Sequence, residues 1–126
     1  MILLDTSLLI DALTGPRRSG PALRRAFDRG EEICLAALVA YEWLRGPRTT
    51  AEREAADALF PPASALVFGP EEAAVSAKLY RSVSRPRGRE VHLAIAACAI
   101  VREAELWTLN PTDFKDIPGL RLYHAS

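Results

Sequence analysis

The chain has 126 residues, 49% of them apolar and 25% charged, with a formal net charge of zero. That length suits one domain with a single core covered on two sides, and the composition excludes a disordered chain or a fibrous repeat. Without a net positive field, attraction to nucleic acid or to an anionic membrane must come from local patches.

In chain order, Met1 to Leu4 is a short apolar run ended by Asp5, and its lack of alternation predicts a buried parallel strand. Thr6 or Ser7 then caps a helix from near Leu8 to about Leu13, stopped by Gly15 and Pro16. A second helix is expected from Ala22 to Arg29, ended by Gly30. ICLA supplies a second strand, and LVAYEWLRG a helix closed by Gly46 and Pro47. Thr49 or Thr50, with Glu52 and Glu54 nearby, starts a helix to about Phe60, where Pro61 and Pro62 end it.

Ala65 to Phe68 is a third strand candidate, and Pro70 suits the first turn of a helix through roughly Val83. SRPRGRE is an exposed basic connector. Residues 91–102 are expected to form a nearly all-apolar helix, because alanine-rich content and a length above ten favour helix over strand. AELWTL gives a fourth strand, NPTDF a turn or short helix, and LRLY a final strand. Strands alternating with helices in this way predict a three-layer α/β/α sandwich with a mostly parallel central sheet, occupying 1–126 as one domain. Ligands of such folds sit beyond the carboxyl ends of the strands, the edge onto which Asp5 and Asn110 would open.

Cys34 and Cys98 lie in apolar contexts and read as small buried hydrophobes, which fits a reducing compartment. No basic region precedes ILLD, so no signal peptide is expected. VHLAIAACAIV is too short to span a bilayer. A cytoplasmic protein that does not enter the membrane is the expectation.

Several acids do not fit their surroundings. Asp5 closes an apolar strand, either as a helix cap or as the centre of a cation site. Glu42 lies in a stretch otherwise apolar from Cys34 to Leu44, so its carboxylate must reach solvent, pair with an arginine such as Arg45, or bind a cation. Asp113 and Asn110 follow the fourth strand and read as turn residues or as oxygen ligands; Asp11 has similar standing. Together they make an oxygen-rich set from distant parts of the chain, the donor type that holds Mg²⁺ or Mn²⁺ when phosphate completes the shell. Such an ion polarises a phosphodiester and lowers the pKa of its water. No nucleophile elbow, GxGxxG or phosphate loop offers a competing chemistry.

The order and separation of ILLDTSLLIDAL, AALVAYEWLRG, HLAIAACA and LWTLNPTDFKDIPGLRLY resemble the PIN-domain family, and within it the toxin ribonucleases of toxin–antitoxin pairs of the VapBC type. The resemblance covers nearly the whole chain. It implies an RNA-cleaving site in which Asp5 is the opening acid and Glu42 the second, with Mg²⁺ or Mn²⁺ as cofactor. Thr6 and Ser7 match the hydroxyl-rich segment that orients phosphate or a ligand water. Thr108, Asn110 and Asp113 match the closing segment, with either Asn110 or Asp113 facing the metal. It also implies a cognate antitoxin covering the acidic cleft, and a homodimer.

The departure is His92, which stands where the family pattern has an aspartate. Three readings are open: an ordinary histidine that leaves the site weakened or inactive, a nitrogen ligand that retains Mn²⁺ or a softer ion, or a shifted register in which Glu90 reaches the site. Arg85, Arg87 and Arg89 are the densest basic group and would contact RNA phosphates, as would Arg45 and Arg48 beside Glu42. The same connector also reads as a solvated loop. The rival functional readings are a PIN-like domain that binds RNA or antitoxin with little or no turnover, and a DNA-directed flap or repair nuclease.

Overall fold

The computed structural model describes residues 1–125. Four parallel strands form one sheet in the order β2-β1-β3-β4: β1 (Ile2–Leu4), β2 (Ile33–Cys34), β3 (Glu105–Trp107) and β4 (Arg121–Leu122). Successive strand side chains point to opposite faces, and Ile2, Leu3 and Leu4 are all buried. Both faces of the sheet are therefore covered, as the unbroken apolar run requires. The helices are α1 (Thr6–Leu13), α2 (Gly20–Asp28), α3 (Ala37–Arg45), α4 (Thr50–Leu59), α5 (Pro70–Ser82) and α6 (Glu90–Val101). α1 packs on α2, α3 and α4, while α5 packs on α6, and α6 meets both α3 and β3. This is the expected α/β/α arrangement.

From β1 the chain moves to one side to make β2, then crosses back to make β3 on the other side of β1. The crevice between the carboxyl ends of β1 and β3 is thus the point where the strand order reverses, the place where such sheets receive ligands. The ladder runs right up to this edge: the Asp5 amide donates to the Trp107 carbonyl at 2.9 Å.

Two local expectations change. α1 begins at Thr6, not near Leu8, with Asp5 in the N-cap position in extended conformation. Neither Thr6 nor Ser7 is a cap, which leaves both hydroxyls for other partners. The strand expected over Ala65–Phe68 reduces to one parallel bridge between Leu66 and Ala36. Leu66 donates to Leu35 and accepts from Ala37, and pairing stops there because Ala37 already opens α3. The helix over 50–59 starts as its sequence indicates: Thr49 and Glu52 exchange side-chain and backbone bonds in a reciprocal cap.

α6 is buried without a break from Leu93 to Ala99. A helix that is apolar all round must sit inside the fold, and its small residues let α5 and the sheet approach closely. At its end Arg102 pairs with the buried Glu72 of α5 at 2.8 Å. Among the described residues no helix is long and apolar enough to cross a membrane.

Candidate functional site

Asp5 is 4% exposed at the β1 end of the crevice. Although it occupies the N-cap position, its carboxylate makes no cap bond to α1. Oδ2 accepts instead from the Thr108 hydroxyl at 2.7 Å and from the Ser7 hydroxyl at 2.9 Å. Each hydroxyl is in turn held by a backbone amide: Leu109 donates to Ser7 Oγ at 3.2 Å and Asn110 to Thr108 Oγ1 at 3.0 Å. With both hydroxyl protons directed at Asp5, the 3.3 Å approach of Ser7 to Thr108 is proximity without a bond. The other oxygen, Oδ1, accepts no hydrogen bond among the described residues.

Glu42 projects from α3 toward the same rim. Its Oε1 accepts from the hydroxyl of Thr6, the residue after Asp5, at 2.6 Å. Its Oε2 meets Arg45, one turn along α3, at the longer distance of 3.5 Å. Arg45 also lies over the exposed Tyr41 ring, 5.2 Å from its centroid. Two of the expected alternatives for Glu42, solvent and Arg45, are thus both in use, and neither saturates the carboxylate.

The other expected residues are placed differently. Asn110 and Asp113 lie on and before a 3-10 turn at Pro111–Asp113, where the Asn110 side chain makes no cap bond and Asp113 is exposed. Arg89 donates to the Asp113 carbonyl at 3.0 Å and to both Asp116 oxygens at 2.9 and 2.6 Å. This fork raises the Arg89 pKa and lowers that of Asp116, chiefly through the hydrogen bonds between them. Arg85 and Arg87 are exposed and have no ion pair among the described residues. Glu90 turns back to accept the Gly88 amide at 2.7 Å. His92 packs its ring on buried Phe114, with centroids 5.0 Å apart. Asp11 accepts the buried Ser19 hydroxyl at 2.6 Å, tying α1 to the start of α2.

Sequence reasoning matched Thr108 to the closing segment but gave it no part in holding Asp5. It missed Asp116 altogether, although DFKD after a proline turn puts two acids within reach of the arginine that precedes α6. Both thiols are free and burial raises each pKa, but only Cys98 is buried as expected, Cys34 being half-buried at the end of β2.

Among the described residues no three His, Cys, Asp or Glu side chains converge as an all-protein metal cage. The donors nevertheless suit one kind of ion. Mg²⁺ keeps several waters and is commonly held by one or two carboxylates together with substrate phosphate. Asp5 Oδ1 and the weakly engaged Glu42 Oε2 are two hard oxygens of that type.

A parallel α/β sheet with a braced aspartate at its reversal point and a glutamate from α3 beside it is an α/β fold with polar groups at the strand carboxyl edge, where such sheets receive ligands. Within that class the comparisons are specific. The PIN domain family model matches residues 2–120. Ribonuclease VapC19 of Mycobacterium tuberculosis is 34% identical over 123 residues, covering 96% of this chain and 98% of the relative. The structure of VapBC2 from Rickettsia felis bound to a promoter DNA fragment matches with a TM-score of 0.76 at 20% identity, covering 100% of both chains. DNA-bound VapBC from Salmonella typhimurium gives a TM-score of 0.80 at 18% identity, covering 97% and 96%. The chain belongs to the PIN domain family.

Proposed function

We propose that this protein is a divalent-metal-dependent endoribonuclease and the toxin of a toxin–antitoxin pair, with Asp5 and Glu42 as its metal-holding acids. The observation that carries the reading is the pair of carboxylates at one sheet rim, joined through Thr6 and each with an oxygen not fully engaged. The near-full-length similarity to a ribonuclease supports the reaction class.

Asp5 and Glu42 would hold Mg²⁺ or Mn²⁺, which would supply polarisation of the phosphodiester and a lowered pKa for water. The chain itself supplies orientation and charge. Ser7 and Thr108 fix the Asp5 carboxylate so that only Oδ1 faces outward, and Thr6 does the same for Glu42. Asn110 or Asp113 completes the donor set from the far side of the crevice. Arg85 and Arg87, with no ion pair among the described residues, take up phosphates of the strand, a contact that gives affinity with little sequence choice. Arg89, committed to Asp116, contributes by holding the 111–116 segment against α6.

The partner proposals follow from the same reading. The structural relatives are described as VapBC assemblies, and we assign this chain a cognate antitoxin that covers the acidic rim, and a homodimeric state.

With Mn²⁺ present, the purified protein is expected to cleave single-stranded RNA, and Asp5→Asn and Glu42→Gln each to reduce cleavage to background with unchanged circular dichroism. Undiminished cleavage by both variants would remove the assignment. One observation favours a second reading, an RNA- or antitoxin-binding domain with little turnover: His92 spends its ring on Phe114 where a third carboxylate is expected. Absence of cleavage by the wild type with either ion would select it.

A further inference from the structure

Tyr41, Glu42 and Arg45 form a triangle on α3, since residues three and four apart are neighbours on a helix surface. Tyr41 and the Arg45 side chain are each 58% exposed. The guanidinium lies over the tyrosine ring at 5.2 Å and touches Glu42 at 3.5 Å. The contrast with Arg48 is instructive. Its guanidinium also covers an aromatic ring, that of Trp43 at 4.5 Å, but Trp43 is buried and the Arg48 Nε is shut away from solvent. One arginine–aromatic pair is spent on the fold, whereas the other stands open beside the acid rim.

We propose that Tyr41 and Arg45 form a binding platform for single-stranded RNA, on which an unstacked base lies against the ring or guanidinium plane while Arg45 takes the adjoining phosphate. The choice of ligand rests on the ribonuclease reading above. Bases of single strands are recognised by stacking on aromatic rings and on arginine planes, and a paired, stacked base cannot offer its face in this way. The contact to Glu42 is long at 3.5 Å and its arginine end is exposed, which makes it weak, so a phosphate displaces it readily. Its displacement has a consequence for the acid. In the free protein Arg45 neutralises part of the charge that Glu42 would offer a cation; once the strand holds Arg45, that charge is released. RNA and divalent ion then assist each other, and thermodynamic linkage makes the effect equal in both directions.

The test uses a 2′-O-methyl single-stranded oligonucleotide, which resists cleavage, with anisotropy measured in EDTA. Tyr41→Leu is expected to weaken binding about tenfold, the scale of one lost stacking contact, and Tyr41→Trp to preserve it. Arg45→Gln should weaken binding and lower the salt slope by about 0.7, the value for one phosphate contact on a single strand. By calorimetry without RNA, Arg45→Gln should bind Mn²⁺ more tightly than the wild type. Wild-type affinity in both Tyr41→Leu and Arg45→Gln overturns the platform, as does a wild type that binds no single strand in EDTA. A change of oligomeric state in Tyr41→Leu with RNA affinity intact overturns it too, by making this face a protein contact. Failure of the two readings is distinguishable: a wild type that binds through Tyr41 but never cleaves sinks the nuclease alone, and one that cleaves while the variants bind normally sinks the platform alone.

Discussion

A carboxylate at the N-cap of a helix ordinarily accepts that helix's own amide protons. Asp5 occupies the position without that role: hydroxyls from Ser7 and Thr108 hold one of its oxygens, and the other accepts no bond among the described residues. Hydrogen bonds to an ionised group are worth about 1.5–3 kcal/mol each, so Thr108 is predicted to matter for turnover through the aim of Asp5. Thr108→Val, nearly the same shape without the hydroxyl, should slow Mn²⁺-dependent cleavage about tenfold or more by the same energy scale. Thr108→Ser should restore most of it, and single-turnover rates at saturating metal check both. The two acids themselves were legible in the sequence because each interrupts an apolar stretch where a bare charge is expensive. Thr108 was not legible in this role, since nothing local in LWTLN says that its hydroxyl meets a residue 103 positions earlier.

At the scale of elements, α6 is where burial is concentrated. Ile95 is fully buried in the middle of the helix, with alanines on either side of it in sequence. Ile95→Ala is therefore predicted to cost about 2–5 kcal/mol, read as a lower urea midpoint with little change in slope. The first turn of the same helix is anchored by the Arg89 fork to Asp116 and by His92 on Phe114. A run of three arginines in SRPRGRE looks uniform in sequence. Only the fold singles out Arg89, by bringing one carboxylate from 27 residues away into bidentate reach. The expected strand over 65–68 fails for a related reason: apolar residues make a segment eligible for pairing, but a ladder needs an extended partner, and the opposite segment enters α3 at Ala37.

For the molecule as a whole, two carboxylates contribute to the response to acid. Glu72 is lowered from its ordinary pKa, first by its own backbone amide and then by the Gly69 amide and Arg102, against an opposing effect of burial. Asp116 is lowered chiefly by Arg89. A depressed native pKa means that the unfolded chain binds protons first as pH falls, so these groups stabilise the fold fully above their ordinary values and progressively less below about pH 4. Thermal midpoints are predicted to drop as pH is lowered from 5 to 3, and the drop to be smaller in Glu72→Gln than in the wild type. Equal slopes in the two proteins would remove Glu72 from the account.

By itself the sequence determined the six helices, four of the five expected strands and the two out-of-place acids, because hydrophobic period, turn residues and a charge in an apolar stretch are all local signals. The tertiary structure decided which polar groups meet. It gave Asp5 to two hydroxyls, Glu42 to Thr6 and loosely to Arg45, Arg89 to Asp116, and His92 to an aromatic ring. Those partners lie on different elements, and hydrogen-bond geometry has meaning only once packing has fixed the distance between them.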